Sequence, residues 1–222
     1  MLLRALIATA LATAALAAPA SAAMLEPLKP CYASDGQAVE KRETIRVHAT
    51  GFTPESVLDL QIDGQTVDSA QADAFGNATA FVPAPFQARG ERPFTLVVVE
   101  RDNPTLNFAS ATSRVTNLGV TLRPNPARPS RKVRFRGRGF TKAAPVFAHY
   151  VFGGVLQKTV KLVQRPSSAC GVFSAKRRQI PVRNARVGDW LLQIDQQRRW
   201  AALPASNMQA MIIRVREIFR EP

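Results

Sequence analysis

TIRVHATGFTPESVLDLQIDGQ, residues 44–65, and KVRFRGRGFTKAAPVFAHYVFG, residues 132–153, align without a gap at an offset of 88 residues. Gly51-Phe52-Thr53 falls on Gly139-Phe140-Thr141, and the apolar positions follow: Ile45 on Val133, Val47 on Phe135, Leu58 on Val146, Ile62 on Tyr150. In the first copy Ile45, Val47 and Ala49 alternate with Arg46, His48 and Thr50, the period of a strand with one buried face. Gly51 then permits a turn and Pro54 withholds a ladder donor. Asp63-Gly64 is a hairpin signal, because glycine takes a positive φ without steric cost. A repeat near 90 residues has the size of one sandwich domain, so the chain reads as a tandem duplication.

Outward from this pair, short apolar runs recur about every ten residues, separated by Gly, Pro, Asp and Asn. The first half continues with strands expected near 57–63, 78–82, 93–100, 105–115 and 120–122. The second offers 133–138, 146–152, 156–163, 172–175, 179–182, 190–194 and 211–218, with a helical turn near 203–210. This spacing predicts an all-β chain of two tandem immunoglobulin-like sandwiches. Residues 23–122 form the first domain and 132–222 the second. Between them RPNPARPSR, residues 123–131, holds three prolines and reads as a semi-rigid linker.

Residues 1–22 carry Arg4, an apolar run and the small residues Ala20-Ser21-Ala22. That is the pattern of a secretory signal peptide, and the run is shorter than the roughly 20 residues needed to span a bilayer. No later segment is apolar enough to cross a membrane, so the mature chain is expected outside the cytoplasm, secreted or associated with the cell envelope.

The GFTP turn, the Asp-Gly hairpin and ADAFGNATAFVP at 72–83 resemble the Ig-like modules of secreted bacterial proteins, including those grouped as IPT/TIG-like. The second half, with AHYVFGG, SSACGVFS, RRQIPVR and DQQRRW, is similar to an uncharacterised group of exported actinobacterial proteins. These are turn and packing motifs. The resemblance implies fold and export, and it transfers no catalytic residue.

Charge separates the halves. Residues 24–122 hold 8 Lys or Arg and 12 Asp or Glu, a formal charge of −4, whereas residues 123–222 hold 21 and 4, or +17. Lys132, Arg134, Arg136 and Arg138 share one parity of a strand, roughly 6.6 Å apart, inside the Debye length of about 8 Å at physiological salt. Further clusters are Lys176-Arg177-Arg178, Arg183 with Arg186, and Arg198-Arg199. A polyanion would relieve the repulsion and release counterions, and arginine suits bidentate contact with phosphate or carboxylate. The expected partner is an anionic cell-envelope polymer or lipid headgroup; export makes nucleic acid the less available polyanion. The competing reading is a solvated surface that keeps the protein soluble or docks on the acidic first half.

Other chemistry finds less support. Cys31 and Cys170 lie one in each half, and in an oxidising compartment they would close a 139-residue loop; two separate thiols are the alternative. His48 and His149 have no Cys or carboxylate cluster beside them, so no metal is expected. No serine sits in a G-x-S-x-G context. Asp189 and Asp195 flank a strand as turn and strand-end residues more naturally than as a hydrolytic pair. Neither an enzyme nor a cofactor is therefore predicted, a small secreted hydrolase with an unrecognised site being an alternative reading. Trp190 reads as core. Trp200, after Gln196-Gln197-Arg198-Arg199, packs under a loop or, in an accessory carbohydrate-binding module, stacks on neutral glycan.

Overall fold

The computed structural model describes residues 22–202 and 208–216. Nearly all of the predicted leader lies outside these, as does most of the expected helical turn at 203–210, whose Gln209 and Ala210 belong to a strand. In the first half the strands are β1 (Met24–Leu25), β2 (Tyr32–Ser34), β3 (Thr44–Thr50), β4 (Val57–Ile62), β5 (Gln65–Gln71), β6 (Ala78–Pro83), β7 (Glu91–Glu100) and β8 (Phe108–Asn117). The second half holds β9 (Gly119–Arg123), β10 (Lys132–Arg138), β11 (Val146–Phe152), β12 (Val155–Val163), β13 (Phe173–Arg178), β14 (Gly188–Asp195) and β15 (Gln209–Val215).

The strands form four sheets, ordered β1-β3-β6, β2-β8-β7-β4-β5, β13-β10-β9 and β12-β11-β14-β15. Leaving β2 aside, both halves put their first, second and fifth strands in one sheet and their third, fourth, sixth and seventh in the other. That is the immunoglobulin-like order. Each pair of sheets encloses its own core. Ile45, Val47, Leu58, Leu60, Phe94 and Leu96 belong to the first, and Val133, Phe135, Tyr150, Trp190, Leu192 and Ile194 to the second. Trp190 is buried as expected, its indole N–H donating to the Arg186 carbonyl at 2.9 Å.

The repeated Gly-Phe-Thr has one structural job in both halves. Phe52 and Phe140 stand two residues beyond the ends of β3 and β10 and are buried, and each donates its backbone N–H to a glycine carbonyl, Gly76 at 3.1 Å and Gly171 at 3.3 Å. Gly76 (φ +77) and Gly171 (φ +64) are left-handed, and a Cβ on either would stand 2.1 Å from the phenylalanine carbonyl oxygen. The glycine requirement therefore comes from backbone meeting backbone.

Two sequence expectations are corrected. Residues 119–122, assigned to the first domain, belong to β9, which pairs antiparallel with β10 in the second sandwich. The segment 123–131 is thus no interdomain linker: Arg123 ends β9 and residues 124–131 connect β9 to β10, so the halves meet at Leu118, between β8 and β9. Because residues 118–122 carry no charge, the split of −4 and +17 survives the shift. The second correction concerns 179–182, expected as a strand. Gln179 donates to the Arg131 carbonyl and Ile180 to the Pro129 carbonyl, both at 2.9 Å. No ladder follows, because Pro129 and Pro181 have no N–H to return.

The junction is fastened from several directions. Cys31 and Cys170 are bonded, with Cα atoms 5.1 Å apart and a sequence separation of 139. Lys29 pairs with Glu43 and also donates to Thr141 Oγ1 at 2.9 Å, while Thr141 donates to Glu43 at 3.2 Å. Gln209 reaches Asp35 at 2.8 Å and the Leu118 N–H donates to the Ser34 carbonyl at 2.9 Å.

Two outcomes are expected from denaturant titration. Gly171→Ala, which forces the backbones apart, should lower the unfolding free energy by about 3 kcal/mol, read through Trp190 fluorescence. Replacing Cys31 and Cys170 together by serine should cost up to about 5 kcal/mol by loop entropy. An unchanged midpoint under reducing and oxidising conditions would contradict that loss.

Candidate polyanion-binding face

The sheet β13-β10-β9 turns Val133, Phe135, Gly137, Phe173, Ala175 and Leu122 inward and its other parity to solvent. Gly137 is needed because the Phe173 ring occupies the space a Cβ would take, 2.2 Å away. Lys132, Arg134, Arg136 and Arg138 are all exposed, as their alternation predicted.

Register brings more cations beside them. Arg134 faces Lys176 on one side and Arg123 on the other, and Lys132 faces Arg178. Arg136 lies between Ser174 and Thr121. Side chains opposite one another on neighbouring strands are roughly 5 Å apart at Cβ, where like charges destabilise. Seven cations therefore share one outer face. Among the described residues, none of the seven has a carboxylate within 4.0 Å, and every ion pair lies within one half of the chain. Four acidic side chains of the first sandwich pair with its own cations: Glu43 with Lys29, Asp59 with Arg101, Asp63 with Arg92 and Glu91 with Arg114.

Two shallow depressions cross this face and share Arg123 and Arg136. One of about 550 Å³ is rimmed by Arg138, Thr121, Ser167 and Ser174. The other, about 430 Å³, is rimmed by Arg131, Lys132, Arg134 and Lys176. Arg123 and Arg131 were not singled out in the sequence. They sit in the segment read as a linker, and only the β9–β10 pairing places them here.

The remaining predicted cations do not join the face. Arg177 has the inward parity at the sheet's end and donates to the Leu162 carbonyl of β12 at 3.1 Å. Arg183 and Arg186 lie in the loop before β14, the Arg186 guanidinium 5.0 Å from the Phe152 ring centre in the other sheet. Arg198 and Arg199 are exposed in the loop after β14. Of eleven predicted residues, six converge: Lys132, Arg134, Arg136, Arg138, Lys176 and Arg178.

A second constellation was missed from sequence. His149 is fully buried and its Nε2 lies 3.3 Å from Asp195 Oδ1 and 3.1 Å from the Gln197 carbonyl, with Nδ1 2.9 Å from Thr159 Oγ1. Gln193 donates to Asp195 at 2.8 Å and accepts the Trp200 indole N–H at 3.1 Å. Trp200 is thus half-buried over the outer face of β14, its donor committed internally. The network holds down the loop that follows β14; β11 and β14 pair across 46 residues, which no local pattern reveals. A hydroxyl, an imidazole and a carboxylate in series could serve acyl transfer, but the imidazole is sealed by the loop itself. Asp189, the other carboxylate weighed, is exposed at the far end of β14 and pairs with Arg214 at 2.7 Å. Among the described residues no group of three His, Cys, Asp or Glu could hold a metal, and no helix is long and apolar enough to cross a membrane.

The chain matches no family model and no curated protein. It is similar in structure to fibronectin(III)-like modules of Clostridium thermocellum CbhA at 17% identity, covering 43% of this chain and 96% of that one, TM-score 0.30. The human OSCAR ligand-binding domain is similar at 11% identity, 87% and 97% coverage and TM-score 0.34. Parabacteroides merdae β-glucuronidase shows 10% identity and TM-score 0.27; 84% of this chain corresponds to 23% of that enzyme, so the chain spans about a quarter of its length. No residue or activity is carried over at these levels. The immunoglobulin-like architecture stands on the strand order.

Burial pushes the Asp195 carboxyl up, but hydrogen bonds from His149, Gln193 and the Gln197 N–H outweigh it and hold it below the ordinary value. An acid lower in the folded than in the unfolded chain stabilises fully above the unfolded value, near pH 4, and loses that contribution as pH falls through the folded one. Asp195→Asn should cost about 2 kcal/mol at pH 7, and the difference from wild type should shrink between pH 4 and pH 2. A difference independent of pH in urea titrations would assign the loss to packing alone.

Proposed function

We propose that the protein is an exported, non-catalytic binding protein that attaches to the cell envelope through the outer face of β13-β10-β9. The single observation that carries this reading is seven cations on one sheet face without a carboxylate partner among the described residues. The first sandwich is an internal contrast. Its equivalent strand β3 shows Thr44, Arg46, His48 and Thr50 on the outward parity, opposite Thr79 and Phe81. The same scaffold is thus built once without a basic face and once with one, so the fold does not require the charge.

Unpaired like charges in rows cost stability, and an anion that lies across them removes that cost while releasing counterions. Phosphate- or carboxylate-bearing wall polymers and anionic lipid headgroups supply such anions. The first sandwich then serves as spacer or protein-binding face, held to the second by the Cys31–Cys170 bond. A glycan-stacking module is less well supported, because Trp200 spends its indole donor on Gln193 and only part of the ring meets solvent.

The test is retention of purified protein on isolated bacterial cell walls against salt. Retention should fall steeply, and Arg134→Gln, Arg136→Gln and Arg138→Gln together should flatten the log–log salt slope by about two, at roughly 0.7 for each phosphate left without its cation. The triple variant should unfold at an unchanged or higher denaturant concentration, since all three side chains are exposed. Retention insensitive to salt and abolished by Trp200→Ala would replace this reading with glycan stacking.

A further inference from the structure

From the geometry of β10 we infer that the basic face takes a linear polyol phosphate with three carbons between successive phosphates, laid along the strand. This rests on the polyanion-binding reading above and names its ligand. Lys132, Arg134, Arg136 and Arg138 form one exposed file, and successive members are two residues, six backbone bonds, apart. An extended chain gains about 3.3–3.6 Å per three backbone bonds, so the cations recur about every 7 Å. In a three-carbon phosphodiester the path from phosphorus to phosphorus, P–O–C–C–C–O–P, is also six bonds. Extended, it sets one anionic group opposite each cation without slippage over four repeats.

The surroundings of the file fit a polymer better than a compact anion. The two depressions share Arg123 and Arg136 as lining residues, so they lie next to one another along β10. Flanking strands widen the positive field at Arg134, between Arg123 and Lys176, and at Lys132, beside Arg178. At Arg136 the flanks are the hydroxyls of Thr121 and Ser174, donors for the oxygens of a phosphodiester. Sheets twist, so a chain that follows the file must be flexible, as a phosphodiester is and a ring-based polyuronate is not. Single-stranded nucleic acid shares the six-bond spacing, but its binders add aromatic platforms for the bases. The outward positions of this face are Thr121, Arg123, Lys132, Arg134, Arg136, Arg138, Ser174, Lys176 and Arg178, with no aromatic ring among them.

Glycerol-phosphate oligomers of two, four and eight units test this by calorimetry with the full chain. Four units should bind at least tenfold tighter than two, eight no more than about twofold tighter than four, and the four-unit salt slope should be about −3. Ribitol-phosphate oligomers of equal phosphate count, with eight bonds between phosphates, should bind several-fold more weakly. Arg136→Gln, in mid-file, should abolish the gain from two to four units, and Arg198→Gln, off the face, should keep it. Equal affinity for both polymers, or salt-sensitive capture by phosphatidylglycerol vesicles with no dependence on oligomer length, would overturn the ligand assignment while leaving the basic face as the binding site. Tighter binding of single-stranded DNA at equal phosphate count would transfer the file to nucleic acid. Absence of salt-sensitive binding to any of these probes would overturn both readings.

Discussion

Burial of Val133 and Phe135 in the second core fixes where four cations stand. Both side chains are essentially inaccessible to solvent, and fully burying such residues is worth roughly 1.5–3 kcal/mol each. Two neighbouring unit charges about 7 Å apart in water repel by about 0.6 kcal/mol before screening, and salt reduces this further. The apolar parity therefore decides the strand's orientation and the basic parity follows, repulsion included. β10 cannot relieve the crowding by turning over, because a one-residue slip would put Arg134 and Arg136 in the core. Neighbouring strands are locked by their own inward residues, Leu122 on β9 and Phe173 with Ala175 on β13. Hydrophobic packing thus holds a charge arrangement that electrostatics alone would disperse.

Among the described residues the junction brings no carboxylate of the acidic half into an ion pair with this face. A single residue, Leu118, joins β8 to β9, and the bonds around it use Lys29, Cys31, Asp35 and Glu43 on one side with Thr141, Cys170 and Gln209 on the other. Glu43 is occupied by Lys29 and Thr141 there, and Asp59, Asp63 and Glu91 pair with arginines of their own sandwich. Bonds at one end of each sandwich, rather than face against face, leave β10 and its neighbours open.

Much of the fold was legible in sequence, because it rests on local periodicity. The repeat of Gly-Phe-Thr, the alternation in β3 and β10 and the buried Trp190 all follow from patterns a few residues long. What failed were inferences that depend on pairing. Three prolines at 124–129 suggested a spacer between domains, whereas β9 before them returns along β10 after them, and proline is as much at home in a loop between strands as in a linker. The cation clusters looked equivalent along the chain; register separated Lys176 and Arg178 from Arg177, and added Arg123. The His149–Asp195 network was invisible for the same reason, its members being brought together only by the pairing of β11 with β14.

The proline segment also explains an asymmetry between the halves. In the first sandwich β2 follows β1 and runs parallel to β8, covering the edge of the larger sheet. The corresponding position in the second, between its first and second strands, is residues 124–131, where Pro124, Pro126 and Pro129 have no N–H for a ladder. Among the described residues β15 accordingly pairs with β14 alone. The freed segment stays with the other sheet, where Arg131 rims the basic depression and the Pro129 and Arg131 carbonyls hold Ile180 and Gln179. Absence of an edge-covering strand beside β15 and the presence of Arg131 at the basic depression thus belong to the same proline-bearing segment.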